Sequence, residues 1–242
     1  GESILEYLLD GRATIPPSEG VFLSQTWRMN PAVCKFISDA VYDGRLHAAE
    51  GVERRHLALT EDAHPALAPV GVRYVPVVHS GRSQSCEEEA SIISDLYSSL
   101  LKQEFVETDG ARHTLGTEDI LVVSPYNLQV NLLKRFLPDG ARVGTVDKFQ
   151  GQEAAVVIVS MATSSGEELP RDIEFLYSKN RLNVAISRAK CLALVVASPE
   201  LMSIGCSTPE QMALVNTLCW VKDYSDAQEP SPLATLDADS SY

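Results

Sequence analysis

Two hydrophobic periods alternate along the chain. Val70–Val78 reads as a strand, and Pro76 confines it to a sheet edge or a strand end. The run Ser85-Cys86-Glu87-Glu88 fits a capping box, with Ser85 accepting from the backbone and Glu88 reaching back. Behind it Ala90, Ile93, Leu96, Tyr97, Leu100 and Leu101 recur at three- and four-residue spacing, which predicts an amphipathic helix. Ile120–Val123 is a short, wholly apolar strand, and Tyr126–Leu137 a second amphipathic helix. Arg142–Val146, Ala154–Met161 and Cys191–Ala197 supply further strands, with a helix over Arg181–Ala189 and a last one over Pro209–Val221.

Strands that are apolar on both faces and alternate with helices predict an α/β fold, a parallel sheet with helices on both faces. Ligands in such sheets gather beyond the carboxyl ends of the strands. Ser124-Pro125-Tyr126 and Asp147–Glu153 are expected there.

Composition narrows the class. With 45 % hydrophobic and 22 % charged residues over 242 positions, the chain has the balance of a soluble globular protein. Its apolar runs fall far short of the roughly 20 residues that span a bilayer, so no membrane partner is expected. The five cysteines are scattered without a CxxC or a His/Cys cluster, which predicts reduced thiols, a cytoplasmic location and no metal site. The opening residues carry no signal-peptide pattern and no initiator Met, and the chain is expected to be part of a longer one. The net charge of −13 argues against coating nucleic acid by bulk charge, because phosphate binding rests on Lys and Arg. Residues 225–242 hold Asp226, Glu229, Asp237 and Asp239 with no base, and read as a disordered acidic tail.

Absences matter too. No G-x-x-x-x-G-K-[ST] occurs, so the chain has no phosphate loop of its own. No acid stands two residues before any Lys, which removes the D/E-x-K nuclease pattern. Ser-x-x-K occurs at Ser187–Lys190 and again at Ser99–Lys102, and reads as coincidence. The histidines are scattered in mostly polar surroundings and are not expected to be catalytic or ligating.

Three segments remain. Gln25-Thr26-Trp27-Arg28-Met29-Asn30-Pro31 is followed by Phe36 and by Tyr42-Asp43-Gly44-Arg45-Leu46. Gly144-Thr145-Val146-Asp147-Lys148-Phe149-Gln150-Gly151-Gln152-Glu153 enters an apolar strand. Asn180-Arg181-Leu182-Asn183-Val184-Ala185-Ile186-Ser187-Arg188-Ala189-Lys190 is the third. In order and spacing they resemble motifs IV, V and VI of superfamily 1 helicases, in the group of the nonsense-mediated-decay helicase and its DNA-processing relatives. The resemblance runs from about Gly1 to Val221, and some similar bacterial helicases are fused to a RecB-like nuclease. None of the residues quoted is itself nuclease-like.

That resemblance implies a RecA-like domain of the P-loop NTPase superfamily, the second of two, lacking its own phosphate loop. Residues 1–24 would be the linker from the first domain and 25–224 the domain itself. ATP and Mg2+ would be held between the two domains, with the phosphate loop and the magnesium ligands on the first. Arg188 would be an arginine finger and Arg28 a second γ-phosphate ligand, the planar fork of Arg holding two oxygens at once. Trp27 would stack on the base where relatives commonly have Tyr; Glu153, after the Gly151 turn, would accept from ribose hydroxyls; Arg181 would brace the site. Single-stranded nucleic acid, with DNA the expected kind, would lie on Ser124, Pro125, Tyr126, Asn127, Thr145 and Gln150, whose hydroxyl, amide and backbone N–H donors (Pro125 has none) suit phosphates.

Read from the residues alone, other accounts stay open. Arg181 and Arg188, seven apart, would share one helix face and suit a solvated surface of salt bridges. Trp27 would suit a core, Glu153 a plain surface, and Ser124 a helix cap. The rival function is a RecA-like scaffold that binds nucleic acid or a partner without turning over ATP. The isolated chain is expected to be inactive.

Overall fold

The computed structural model describes residues 12, 14–16, 18–165, 179–203 and 209–228. In chain order the strands are β1 (Gln25–Thr26), β2 (His47–Ala48), β3 (His56–Ala58), β4 (Gly71–Pro76), β5 (Glu104–Val106), β6 (Arg112–Thr114), β7 (Ile120–Val123), β8 (Arg142–Gly144), β9 (Ala154–Ser160) and β10 (Ala189–Ala197). The helices are α1 (Pro31–Val41), α2 (Glu87–Leu100), α3 (Asn127–Phe136), α4 (Lys179–Ile186) and α5 (Pro209–Gln228).

Five strands form the central sheet in the order β4-β10-β9-β7-β8, every pairing parallel. The expected α/β architecture is therefore present, and Pro76 ends a strand at the sheet edge. Period-two alternation makes the two cores. Leu121, Val123, Val157, Val159, Ala193 and Val195 face α1, α4 and α5, where Phe36, Ile37, Leu182, Ile186, Leu218 and Val221 meet them. Ile120, Val122, Val156, Ile158, Leu192 and Leu194 face α2 and α3 and meet Ile93, Leu96, Leu100 and Leu133. Each such side chain contributes about 1.5–3 kcal/mol by leaving water. A small antiparallel sheet, β3-β5-β6, joins the second core through Leu57 and Phe105.

Several boundaries differ from expectation, each for a tertiary reason. The N-cap of α2 is Cys86, whose sulfur accepts from the Glu89 amide at 3.4 Å. Gln129 of α3 grips both backbone groups of Cys86, at 2.8 and 3.1 Å, so the chain turns there and not at Ser85. Glu88 is then free to take Arg82, at 2.7 Å, and not the cap. Helix α5 continues past 224 to Gln228 because Tyr224 packs edge-on against Phe36, hydrogen-bonds Asp39, and leaves Ser225 buried with its carbonyl accepting from Arg73. The rest of the expected tail, like residues 1–11, lies outside the described residues. Helix α4 ends at Ile186, so Arg188 sits in the turn before β10 and does not share a helix face with Arg181.

His79 is not in a polar loop. Its ring is wholly buried between Ser164 Oγ (Nδ1, 2.7 Å) and Glu89 Oε1 (Nε2, 3.1 Å). The second oxygen of Glu89 accepts from Ser160 Oγ at 2.6 Å and from the Ala162 amide at 2.9 Å. Ala162 has φ +63°, a left-handed conformation that costs a side-chain-bearing residue roughly 1–2 kcal/mol and needs such anchoring. Cys86 lies close enough to His79 and Glu89 for the three to form a metal-sized group, contrary to the absence of any His/Cys cluster in the linear sequence. Protein donors and acceptors already engage all three. Among the described residues no helix is long and apolar enough to cross a membrane.

Candidate functional site

Parallel strands oblige the chain to return to the amino edge before each new strand. Glu153 stands one residue before β9 and Arg188 one before β10, so both lie at the amino edge of the sheet. Asp147 belongs to the turn that leaves β8 at the carboxyl edge. The expectation that Asp147–Glu153 sits together beyond the carboxyl ends thus fails: the segment is the return path, and its two ends serve opposite edges.

At the amino edge four predicted residues converge. The pair β1–β2 and the start of α1 hold the turn Trp27-Arg28-Met29. Arg28 Nε donates to Glu153 Oε2 at 2.7 Å and its Nη1 to the Ser187 carbonyl at 3.1 Å, beside Arg188. Both partners of the ion pair are roughly a third or more exposed, at 31 % and 42 %, so the pair contributes about 0–1 kcal/mol and yields easily to a competing anion. Burial pushes the Glu153 carboxyl up, but the Arg28 bond and the nearby Lys190 charge outweigh it and hold the group below its ordinary range.

Arg188 is different. Among the described residues its buried Nε has no acceptor and no carboxylate pairs with it. Burial, then the positive charge of Arg28, lowers its pKa. The positive charges of Arg28 and Arg188 thus act on one another at the amino edge, and the buried Nε of Arg188 is a donor that suits an anion. Trp27 is 69 % exposed, which removes the core-tryptophan account.

Arg181, the Ser124–Asn127 turn and Thr145 lie toward the carboxyl edge, and Gln150 and Gly151 lie in the return path between the edges. Arg181, near the start of α4, pairs with Asp147 at 3.2 Å. With Val123, Pro125, Val146 and Met161 it lines a small open cavity of about 30 Å³, room for a water. Ser124 is fully buried: its amide donates to the Gly144 carbonyl at 3.1 Å and its Oγ accepts from the Tyr126 amide at 3.4 Å, so its side chain shapes the turn before α3. Pro125 and Tyr126 are half-buried and Asn127 is exposed. Tyr126 is braced by Thr163, whose Oγ1 lies 3.0 Å from the phenol oxygen. Thr145 is half-buried after β8, Gln150 is exposed in the return path, and Gly151 turns there with φ +79°.

Sequence reasoning missed three residues of the amino edge. Asn30 caps α1 by accepting from the Ala32 amide at 2.9 Å, and donates to the carbonyls of Glu53 and Arg55 at 3.2 and 2.8 Å. Lys190 reaches Glu107 at 3.3 Å and Glu153 at 3.6 Å. Arg55 binds Glu107 and the Trp27-Arg28 backbone. Asn-Pro is a readable cap signal; Lys190 closes the third motif segment but its partners are distant in sequence, and Arg55 has distant partners and no motif. Ser187 and Lys190 do not form a nucleophile–base pair, since Ser187 Oγ bonds the Val184 carbonyl at 2.9 Å.

A family model for the AAA domain matches residues 1–200. The chain belongs to the AAA domain family. A Gallus gallus protein named as the helicase MOV-10 is 30 % identical over 236 residues, covering 84 % of this chain and 24 % of that protein. The DNA polymerase alpha-associated DNA helicase A of Schizosaccharomyces pombe is 33 % identical over 187 residues, 70 % of this chain and 26 % of that one. A solved structure described as arterivirus nonstructural protein 10, a helicase, with DNA covers 73 % of this chain and 26 % of that chain at 18 % identity and a TM-score of 0.32. The chain spans about a quarter of the length of the curated relatives it matches. With these relatives and its three ordered motifs, this AAA domain is a superfamily 1 helicase domain.

Proposed function

We propose that the chain is the second RecA-like domain of an ATP-dependent nucleic-acid helicase. In this reading ATP lies between its amino edge and a first domain that carries the phosphate loop and the magnesium ligands. Trp27 stacks on the base, Glu153 accepts from the ribose, and Arg28 and Arg188 grip the γ-phosphate. Magnesium, when bound, neutralises phosphate charge from the first domain's side. Arg188 is held against charge that develops during transfer, and Arg28 leaves its weak pair with Glu153 to join it. Domain closure and reopening move a single strand along the carboxyl edge, on Tyr126, Asn127 and Thr145, with Gln150 of the return path as a further contact. DNA is the expected strand.

The observation that carries this reading is the buried, acceptor-free Nε of Arg188 beside Arg28. A scaffold has no use for that arrangement, because it costs stability and gives nothing without an anion. The test is ATP hydrolysis by the two-domain protein, with and without single-stranded DNA or RNA, against the 242-residue chain alone. Stimulated turnover is expected from the first and none from the second. Magnesium-dependent turnover by the purified chain would refute the split site. Strand binding by the chain alone is expected to be weak and to fall steeply with salt, for half the groove is missing and the chain is acidic.

A further inference from the structure

One guanidinium outside the predicted site holds the turn on which that site depends. Arg55 precedes β3 and is 15 % exposed at its side chain. Its Nη1 donates to two consecutive carbonyls, those of Trp27 at 2.9 Å and Arg28 at 2.8 Å. Its Nε donates to Glu107 Oε2 at 2.8 Å, just beyond β5. The other oxygen of Glu107 accepts from Lys190, which reaches Glu153 as well. Burial raises the Glu107 carboxyl, yet the bond and charge of Arg55 and the charge of Lys190 more than offset this and keep it ionised. Asn30 ties the same region from the other side, donating to the Arg55 carbonyl at 2.8 Å.

We propose that Arg55 is a positioning residue for the nucleotide site: anchored by Glu107, it fixes the Trp27-Arg28 turn so that indole and guanidinium meet the nucleotide together. This rests on the proposed ATP role of Trp27 and Arg28. The turn is not part of a strand or helix, and Trp27 is mostly exposed. Besides Arg55 it is held by the Arg28 side chain, through the exposed Glu153 pair and the Ser187 carbonyl, and by the Arg28 amide on Thr26 Oγ1 at 3.3 Å. Backbone carbonyls bound by a charged, half-buried donor are the stronger tether. The small antiparallel sheet thereby acquires a role, since β3 and β5 hold the Arg55–Glu107 pair rigidly against the turn.

The test has two arms. In the 242-residue chain carrying Trp220→Phe, Trp27 is the one remaining tryptophan, and its fluorescence anisotropy decay reports the turn's mobility. Arg55→Met is expected to add a fast, large-amplitude component, and Arg55→Lys a smaller one, since a single ammonium cannot hold Glu107 and the two carbonyls at once as Nε and Nη1 do. In the two-domain protein Arg55→Met is expected to lower kcat about 10- to 100-fold, the scale of a 1 Å misplacement, with part recovered by Lys. Glu107→Gln, which keeps the packing, is expected to act in the same direction by a few-fold and serves if Arg55→Met does not fold. Unchanged Trp27 mobility would overturn the proposal. So would near-normal hydrolysis in Arg55→Met when Arg28→Ala is inactive. If Arg28→Ala also hydrolyses normally, the nucleotide reading falls instead, and Trp27 mobility alone decides whether Arg55 holds the turn.

Discussion

Replacing Arg188 by alanine should separate activity from stability, and the structure sets both magnitudes. The side chain is half-buried and its stem packs at the turn before β10. Truncation loses one or two methylenes of effective burial, about 1 kcal/mol. Against that, it removes a buried donor with no acceptor, a group that costs roughly 1–3 kcal/mol, and relieves repulsion from Arg28. The folded domain should therefore melt at the parent temperature or a few degrees above it. Catalysis should go the other way. The guanidinium acts on charge that develops in the transition state, so ATP affinity should persist while hydrolysis falls by ~10² or more, about 2.7 kcal/mol. Arg188→Lys should rescue little, because a point charge does not reproduce the fork.

The assay pairs steady-state hydrolysis by the two-domain protein with binding of a fluorescent ATP analogue and a thermal melt. Unwinding should fall with hydrolysis, while strand binding without nucleotide is retained. Two results would refute the reasoning. Hydrolysis within a few-fold of the parent would show that Arg188 does not meet the transferring phosphate. A melting temperature several degrees lower would show that it stabilises the fold, and that its side chain serves structure and not an anion.

Three further outcomes are expected. Trp27→Ala should leave the melting temperature unchanged, the ring being 69 % exposed, and weaken ATP binding by roughly 1–2 kcal/mol in an equilibrium titration. Glu89→Ala should destabilise the chain by about 3 kcal/mol in urea, since it strands His79, Ser160 and the left-handed Ala162 at once. Glu88 has its pKa lowered to about 2, chiefly by the Arg82 hydrogen bond. Its contribution is therefore complete above the ordinary carboxylate pKa and lost as pH falls toward 2. Both side chains are about 40 % exposed, so Glu88→Gln should cost at most about 1 kcal/mol at pH 7 and nothing once acid has protonated the group.

The sheet was legible because its strands carry their environment in their own residues. Ile120–Val123 and Ala154–Ser160 are apolar at nearly every position, and only a strand covered on both faces wants that. The motif residues were legible as types, Arg28, Glu153 and Arg188 above all, and the structure brings these three together with Trp27. Location was harder. The rule that ligands sit beyond carboxyl ends misplaced Glu153, since a parallel crossover has two ends and the motif straddles both. Period-seven reasoning misplaced Arg188 relative to Arg181, because α4 stops at Ile186 where β10 must begin its ladder on β9. Nothing local marks Arg55 or Glu107. Their meeting is a product of the fold, for they stand 52 positions apart.

Under the proposed function the two edges of the sheet do different work, and single rigid elements join them. Strand β9 begins beside Glu153 and ends at Ser160, whose hydroxyl, through Glu89, fixes the loop that braces Tyr126. Helix α4 carries Arg181, paired to Asp147 at one edge, and leads into Arg188 at the other. Every residue of β9 is buried, and Leu182, Ala185 and Ile186 lock α4 to the same core. Interiors packed this closely displace as bodies and do not bend locally. A nucleotide that pulls Arg28 and Arg188 toward a first domain would therefore draw the whole sheet with them, carrying the Tyr126 turn along. Relative movement of two such bodies is a sufficient physical means for phosphoryl transfer at one edge to advance a strand at the other.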